Sequence, residues 1–146
     1  MRNPISLLLP VLALAAAHAA APEKLAVSSK VETLGKSRGR LVLSFKPDPQ
    51  YDFNRTPPMT VEVEAAPGVT WEQVKQSPKD GKPAAGSNYY GQILPVEFVY
   101  TLSSPAPPEA RARVTYFYCS KKDGFCARET KNVMIPLAPS EGQRKS

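Results

Sequence analysis

Histidine is almost missing from this chain. Its one copy, His18, sits inside an apolar N-terminal run. Loss of that run would remove every Ser-His or Cys-His nucleophile pair and every histidine metal site. Cysteine is nearly as scarce, with only Cys119 and Cys126, and two thiols alone make a poor zinc site. No C-x-x-C motif is present, so the chain is not itself a thioredoxin. No pair of carboxylates stands out for general acid–base work. Hydrolase and metalloenzyme readings therefore start weak, and no cofactor is expected. A helical hydrophobic period is missing after the N-terminal run, and there are no internal repeats.

The single long apolar run has the marks of an export signal. Arg2 supplies a positive start, Ile5 to Ala17 an apolar stretch broken by Ser6 and Pro10, and Ala17-His18-Ala19 a small-x-small cleavage pattern. The run is short for a membrane span, and no second one follows. A signal peptide over residues 1–19 is the expectation, with Ala20 and Ala21 as neighbouring cleavage sites; an uncleaved anchor is the plainer alternative. No cysteine sits just after these sites, which argues against a lipoprotein anchor. The expected location is periplasmic or secreted, with no membrane span after cleavage.

Removing 19 of 146 residues leaves 127, an ordinary size for one domain. The expected domain covers residues 20–138, and the polar stretch 139–146 forms a frayed tail. A chain of this size buries roughly two thirds of its unfolded surface, so its core does not depend on a disulfide. The net charge is +6. Basic residues are scattered and interrupted by acidic ones, not gathered into the stripe that nucleic-acid binding needs. The expectation is a solvated basic surface with no nucleic-acid partner, suited to acidic proteins or anionic surfaces.

Strands and loops account for the rest. Leu25 to Thr33 reads as a first strand. Arg40 to Lys46 reads as a second, with Leu41, Leu43 and Phe45 on one face, stopped by Pro47-Asp48-Pro49. Tyr51 to Pro58 reads as a loop. Met59 to Glu64 alternates, with Val61 and Val63 inward, and Pro67-Gly68 is a turn. Val69 to Val74 is a short strand carrying Trp71, the single tryptophan. Lys75 to Tyr90 is irregular and long enough to be a functional or mobile loop. Gln92 to Leu102 reads as a long strand with Leu94, Val96, Phe98, Tyr100 and Leu102 on one side. Pro105 to Pro108 is a bend before two final strands, Arg113 to Tyr118 and Thr130 to Leu137. Six or seven short strands, 16 prolines and no amphipathic helix predict an all-β fold, an antiparallel immunoglobulin-like β-sandwich. The predicted core includes Leu43, Phe45, Val61, Val63, Trp71, Val96, Phe98 and Tyr116.

The two cysteines lie seven positions apart, with Asp123-Gly124 as a turn signal between them. The simplest geometry is a hairpin with one sulfur on each arm. As a staple, a disulfide closing this loop contributes about 2.5 kcal/mol by the chain-entropy argument. As a redox pair it needs access and reversibility. The polar stretch Ser120 to Phe125 places the sulfurs near the surface. Lys121, Lys122 and Arg128 favour a thiolate, while Asp123 and Glu129 oppose it. The residues alone leave both readings open.

Val114-Thr115-Tyr116-Phe117-Tyr118-Cys119, then Asp123-Gly124-Phe125-Cys126 and Glu129-Thr130-Lys131, resemble the periplasmic N-terminal domain of the thiol:disulfide interchange protein DsbD. The order upstream is similar too: Pro67-Gly68-Val69 with Trp71 behind it, a loop ending in Tyr89-Tyr90, and a strand beginning Leu94-Pro95-Val96. The resemblance covers roughly residues 59–137. It implies an immunoglobulin-like fold and a cysteine pair relaying electrons between a membrane-embedded partner and periplasmic proteins. It implies that Cys126 forms the mixed disulfides and Cys119 resolves them. Thioredoxin-like or membrane-embedded redox proteins, acting in trans, are the implied partners. Two features depart from the family. Six residues separate the cysteines, where the family usually has five. The family's cap loop carries a phenylalanine, whereas Lys75 to Tyr90 has none, leaving Tyr89 or Tyr90 as the candidate cap. The preferred reading is thiol–disulfide exchange through Cys119 and Cys126; the alternative is a non-catalytic binding or structural module with a permanent disulfide.

Overall fold

The computed structural model describes residues 23–103 and 109–137. The expected signal peptide, the bend at 105–108 and the tail from 139 lie outside those residues. Among the described residues there are nine strands and no helix: β1 (Leu25–Thr33), β2 (Arg38–Pro47), β3 (Tyr51–Phe53), β4 (Thr60–Val63), β5 (Val69–Trp71), β6 (Lys75–Gln76), β7 (Val96–Leu102), β8 (Glu109–Ser120) and β9 (Cys126–Pro136).

All pairings are antiparallel. One sheet runs β1-β2-β7-β5. The other is built on β8, which pairs with β9 along one edge and with β3 and β4 in succession along the other, while β6 continues beyond β4. The two sheets form an immunoglobulin-like β-sandwich. Leu41, Leu43 and Phe98 from the first sheet meet Val61, Val114, Tyr116 and Ile135 from the second, all almost fully buried. Each such side chain contributes about 1.5–3 kcal/mol through burial. Phe45 and Trp71, predicted for the core, are half-buried at its margin. Trp71 packs edge-on to Tyr100 at 5.3 Å, and its indole N–H donates to the Glu64 carbonyl.

Three expectations need correction. Tyr51 to Pro58 is not all loop: Tyr51–Phe53 forms β3 and pairs with Tyr118–Ser120. Two aromatics on the margins of a polar, proline-flanked segment gain little locally but much against β8, where Phe53 meets Tyr116 and Tyr51 meets Tyr118, each at 5.5 Å. The long strand begins at Val96, not Gln92, and Ile93 is buried ahead of it. The stretch Lys75 to Tyr90 contributes β6 and two isolated bridges, Asp80 to Ile93 and Asn54 to Tyr89.

The side of the sandwich where β1 faces β9 is closed by charge. Lys24 bonds Glu129 at 3.1 Å and lies over the Tyr118 ring, while Lys131 reaches Glu23 at 2.9 Å and donates to the Leu25 carbonyl. The Glu129 hydrogen bond raises the Lys24 ammonium above its ordinary value. Burial, with Glu129 nearby, pushes the Tyr116 phenol well up.

None of this packing runs through the sulfurs. The Cys119→Ser/Cys126→Ser double variant is expected to remain folded, losing no more than about 2.5 kcal/mol. Cooperative thermal unfolding monitored by circular dichroism checks it; a non-cooperative melt would make the disulfide a condition of the fold.

Candidate functional site

Parity along β8 decides where the sulfurs go. Its even residues, Ala110, Ala112, Val114, Tyr116, Tyr118 and Ser120, are buried. Its odd residues face outward, because successive side chains of a strand alternate. Cys119 is odd. Cys126 pairs with it in register and is exposed, while Cys119 is half-exposed. The disulfide between them therefore lies on the solvent side of the sheet, outside the core.

The hairpin's own ladder holds the two residues in register. The Ser120 N–H donates to the Phe125 carbonyl, so residues 120 and 125 form a hydrogen-bonded pair. Cys119 and Cys126 then form the next, non-hydrogen-bonded pair, in which side chains approach most closely. Their Cα atoms are 4.0 Å apart. Lys121 to Gly124 make the tip. The Ser120 hydroxyl accepts from the Asp123 N–H and donates to its carboxylate. Gly124 has φ of 71°, the left-handed conformation that favours glycine.

The neighbours of the two sulfurs differ. Asp52 lies directly across from Cys119 on β3, and its carboxylate meets the Lys121 ammonium at 3.3 Å. The Asn54 Oδ1 is 3.7 Å from the Cys119 Sγ. Cys126 has Arg128 two residues along the same face, exposed to solvent. Glu129, named from sequence as opposing a thiolate, faces the other side of the sheet and binds Lys24. Asn54 and Asp52 are site residues that sequence reasoning missed. The only trace they left was the aromatic-polar alternation Tyr51-Asp52-Phe53-Asn54.

The two candidate cap tyrosines separate. Tyr89 pairs through its backbone with Asn54, which puts both side chains on one face of the sheet. That is the face of the disulfide, since Asn54 touches Cys119. Tyr89 is 37% exposed. Tyr90 points the other way: its N–H donates to the Phe53 carbonyl, its hydroxyl to the Pro78 carbonyl, and its ring packs on the core.

Asp80 organises the segment that delivers Tyr89. Its carboxylate accepts from the N–H groups of Lys82, Gly91 and Gln92, and it faces the Arg55 guanidinium at 3.7 Å. Arg55 also donates to the Ser87 carbonyl, and its own N–H to the Asn88 carbonyl. Gly91 fits only without a side chain, because a Cβ there would collide with the Lys82 carbonyl oxygen. The stretch is thus anchored, not loose. A cleft of about 190 Å³ lies beside it, bordered by Tyr51, Asp52, Tyr90 and Lys121.

Burial pushes the Asp80 carboxyl up, but the three N–H donors and Arg55 outweigh it and hold it below its ordinary value. Such a group stabilises fully above its unfolded pKa, about pH 4, and less as pH falls through its lower folded value. Asp80→Asn is expected to lower the melting temperature at neutral pH. The gap from wild type should shrink below about pH 4. Melting curves across pH check this; a gap independent of pH would show that the charge of Asp80 is immaterial.

No family model matches the chain, and no curated protein does. Among solved structures, the chain is similar to the N-terminal periplasmic domain of ScsB from Proteus mirabilis, with a TM-score of 0.46 and 14% identity. The match covers 80% of this chain and 47% of that one, so the chain spans about half the length of that structure. It is also similar to the GAE domain of yeast GGA1, with a TM-score of 0.42 and 13% identity, over 78% of this chain and 95% of that one.

Proposed function

We propose that the chain is a thiol–disulfide exchange module working through Cys119 and Cys126. The observation that carries this reading is the position of the bond. It lies on the outer face of the sheet, between two residues that the β8–β9 ladder already holds in register. A bond placed there is not part of the buried core, and Cys126 faces solvent. The likeness of the Gly124-Phe125-Cys126 and Glu129-Thr130-Lys131 segments to the DsbD domain supports the same reading.

The chemistry needs two thiols and access. In the reduced protein the Cys126 thiol gives its proton to solvent. The thiolate attacks one sulfur of a partner's disulfide. A Cys126–partner bond forms, and the partner's S–S bond breaks, its electron pair leaving on the second partner sulfur, which takes a proton. Cys119 then loses its proton and attacks the Cys126 sulfur. The Cys119–Cys126 bond forms and the first partner sulfur leaves as a thiol. The partner has gained two electrons and two protons; a dithiol donor restores the module by the reverse exchange. Cys126 suits the first step because it is exposed and shares its face with Arg128, whose charge favours a thiolate. Cys119 suits the second because Asp52 and Asn54 surround it and it is less accessible. The implied partners are thioredoxin-like or membrane-embedded redox proteins in a periplasmic or extracellular setting.

Two outcomes are expected. Equilibration in glutathione or dithiothreitol buffers should give a potential above about −300 mV, and a value well below it would mark a permanent structural bond, the alternative reading. Cys119→Ser should accumulate mixed disulfides with a thioredoxin-like protein while Cys126→Ser does not; equal trapping would remove the asymmetry.

Tyr89 is the proposed cover for the pair, on the disulfide's face and beside Asn54. Tyr89→Ala should speed the reaction of the reduced protein with a small disulfide and leave the potential unchanged. Tyr90→Ala should instead lower stability. Unaltered rates in Tyr89→Ala would leave the pair without a cap.

A further inference from the structure

The free edge of β9 begins at Cys126. Because residues 120 and 125 form a hydrogen-bonded pair, the backbone groups of Cys126, Arg128, Thr130, Asn132 and Met134 point away from β8. Among the described residues no strand pairs with them. Register with β8 is continuous from Cys126 to Pro136, and no proline interrupts the edge before its last residue. Apart from its charged side chains, this edge lacks the bulges and prolines by which proteins blunt exposed strands. Two exposed large apolar side chains, Phe125 and Met134, stand near its ends.

We propose that β9 receives an extended, disulfide-bearing segment of the partner protein as an added antiparallel strand, and that this places the partner's sulfur opposite Cys126. The proposal rests on the exchange reading and names how its partner docks. Strand addition would set the partner residue about 5.5 Å from Cys126 between Cα atoms, within the span of a disulfide. It also satisfies the stereochemistry of exchange. Attack on a disulfide runs along the S–S axis, so the resolving sulfur and the leaving sulfur must lie on opposite sides of the sulfur attacked. Cys119 already occupies one side of Cys126, one strand inward. The added strand supplies the other side, one strand outward, on the same face. Three sulfurs then stand in a row across three neighbouring strands. A partner docked over the β3 side would put its sulfur behind Cys119, where Cys126 cannot be attacked in line.

The test uses the reduced full chain and two mixed disulfides of thionitrobenzoate, whose release is read by absorbance. One is formed on N-acetylcysteine amide. The other is formed on a seven-residue peptide of alternating threonine and valine ending in cysteine. The peptide is expected to react about tenfold faster, the effect of a few net hydrogen bonds. In Thr130→Pro, which removes an outward N–H from the edge, the ratio of the two rates should fall to near one. N-methylation of the peptide's third and fifth residues, opposite Thr130 and Arg128, should do the same with unaltered protein. N-methylation of the fourth should not. Equal rates for both reagents on the wild-type chain would overturn strand addition, as would an advantage that survives N-methylation of the third and fifth residues or one that is lost on N-methylation of the fourth. In those cases normal reaction with the small reagent leaves the exchange reading intact. A chain whose thiols react with neither reagent defeats both.

Discussion

The alternation of β8 is the constraint on which the rest of the structure depends. Its even residues face the core, with Val114 and Tyr116 almost fully buried. Its length gives it room to pair with β9 on one edge and with β3 and β4 on the other. A slip of one residue would carry Tyr116 and Tyr118 into solvent and turn Cys119 inward. The burial that sets the register therefore also sets the disulfide outside. Core and site are the two faces of one strand, and neither can move without the other.

Beyond that strand, the environment of the sulfurs is made by neighbours that arrive from far along the chain. β3 brings Asp52 and Asn54 beside Cys119. Arg55, at the end of the same segment, helps hold the Asp80 loop, and that loop brings Tyr89 to pair with Asn54. On the opposite side of the hairpin, among the described residues, Cys126 has Arg128 on its face and an edge that no strand pairs. The two sulfurs of one bond thus differ in access and in the charged groups nearby. The proposed exchange draws on that difference, with one sulfur meeting the partner and the other completing the reaction.

Much of the fold was legible because it follows from short-range pattern. The bounds of β1, the inward faces of Leu41 and Leu43, the pair Val61 and Val63, and the hairpin with a sulfur on each arm all read directly from alternation and turn residues. The misread segments share a cause. β3 has three residues and the Asp80 loop has almost no periodic signal, so neither announces itself locally. Both are stabilised by groups distant in sequence: β8 for the first, and the backbone of Gly91 and Gln92 together with Arg55 for the second. Trp71 was expected in the core, but β5 lies at the edge of its sheet, where one side of a large ring remains open.

The sequence by itself determined the chemistry on offer: two sulfurs close enough along the chain to bond, an all-β pattern, and a hairpin to carry them. Those follow from residue type and spacing, which act over a few positions. Only the tertiary structure decided which face the sulfurs occupy, what stands next to each, and which edge is left unpaired. These depend on strand register and sheet order, and both are set by how distant segments bury their apolar faces together. Alternation can be read along one strand, but the strand that comes to lie beside it cannot.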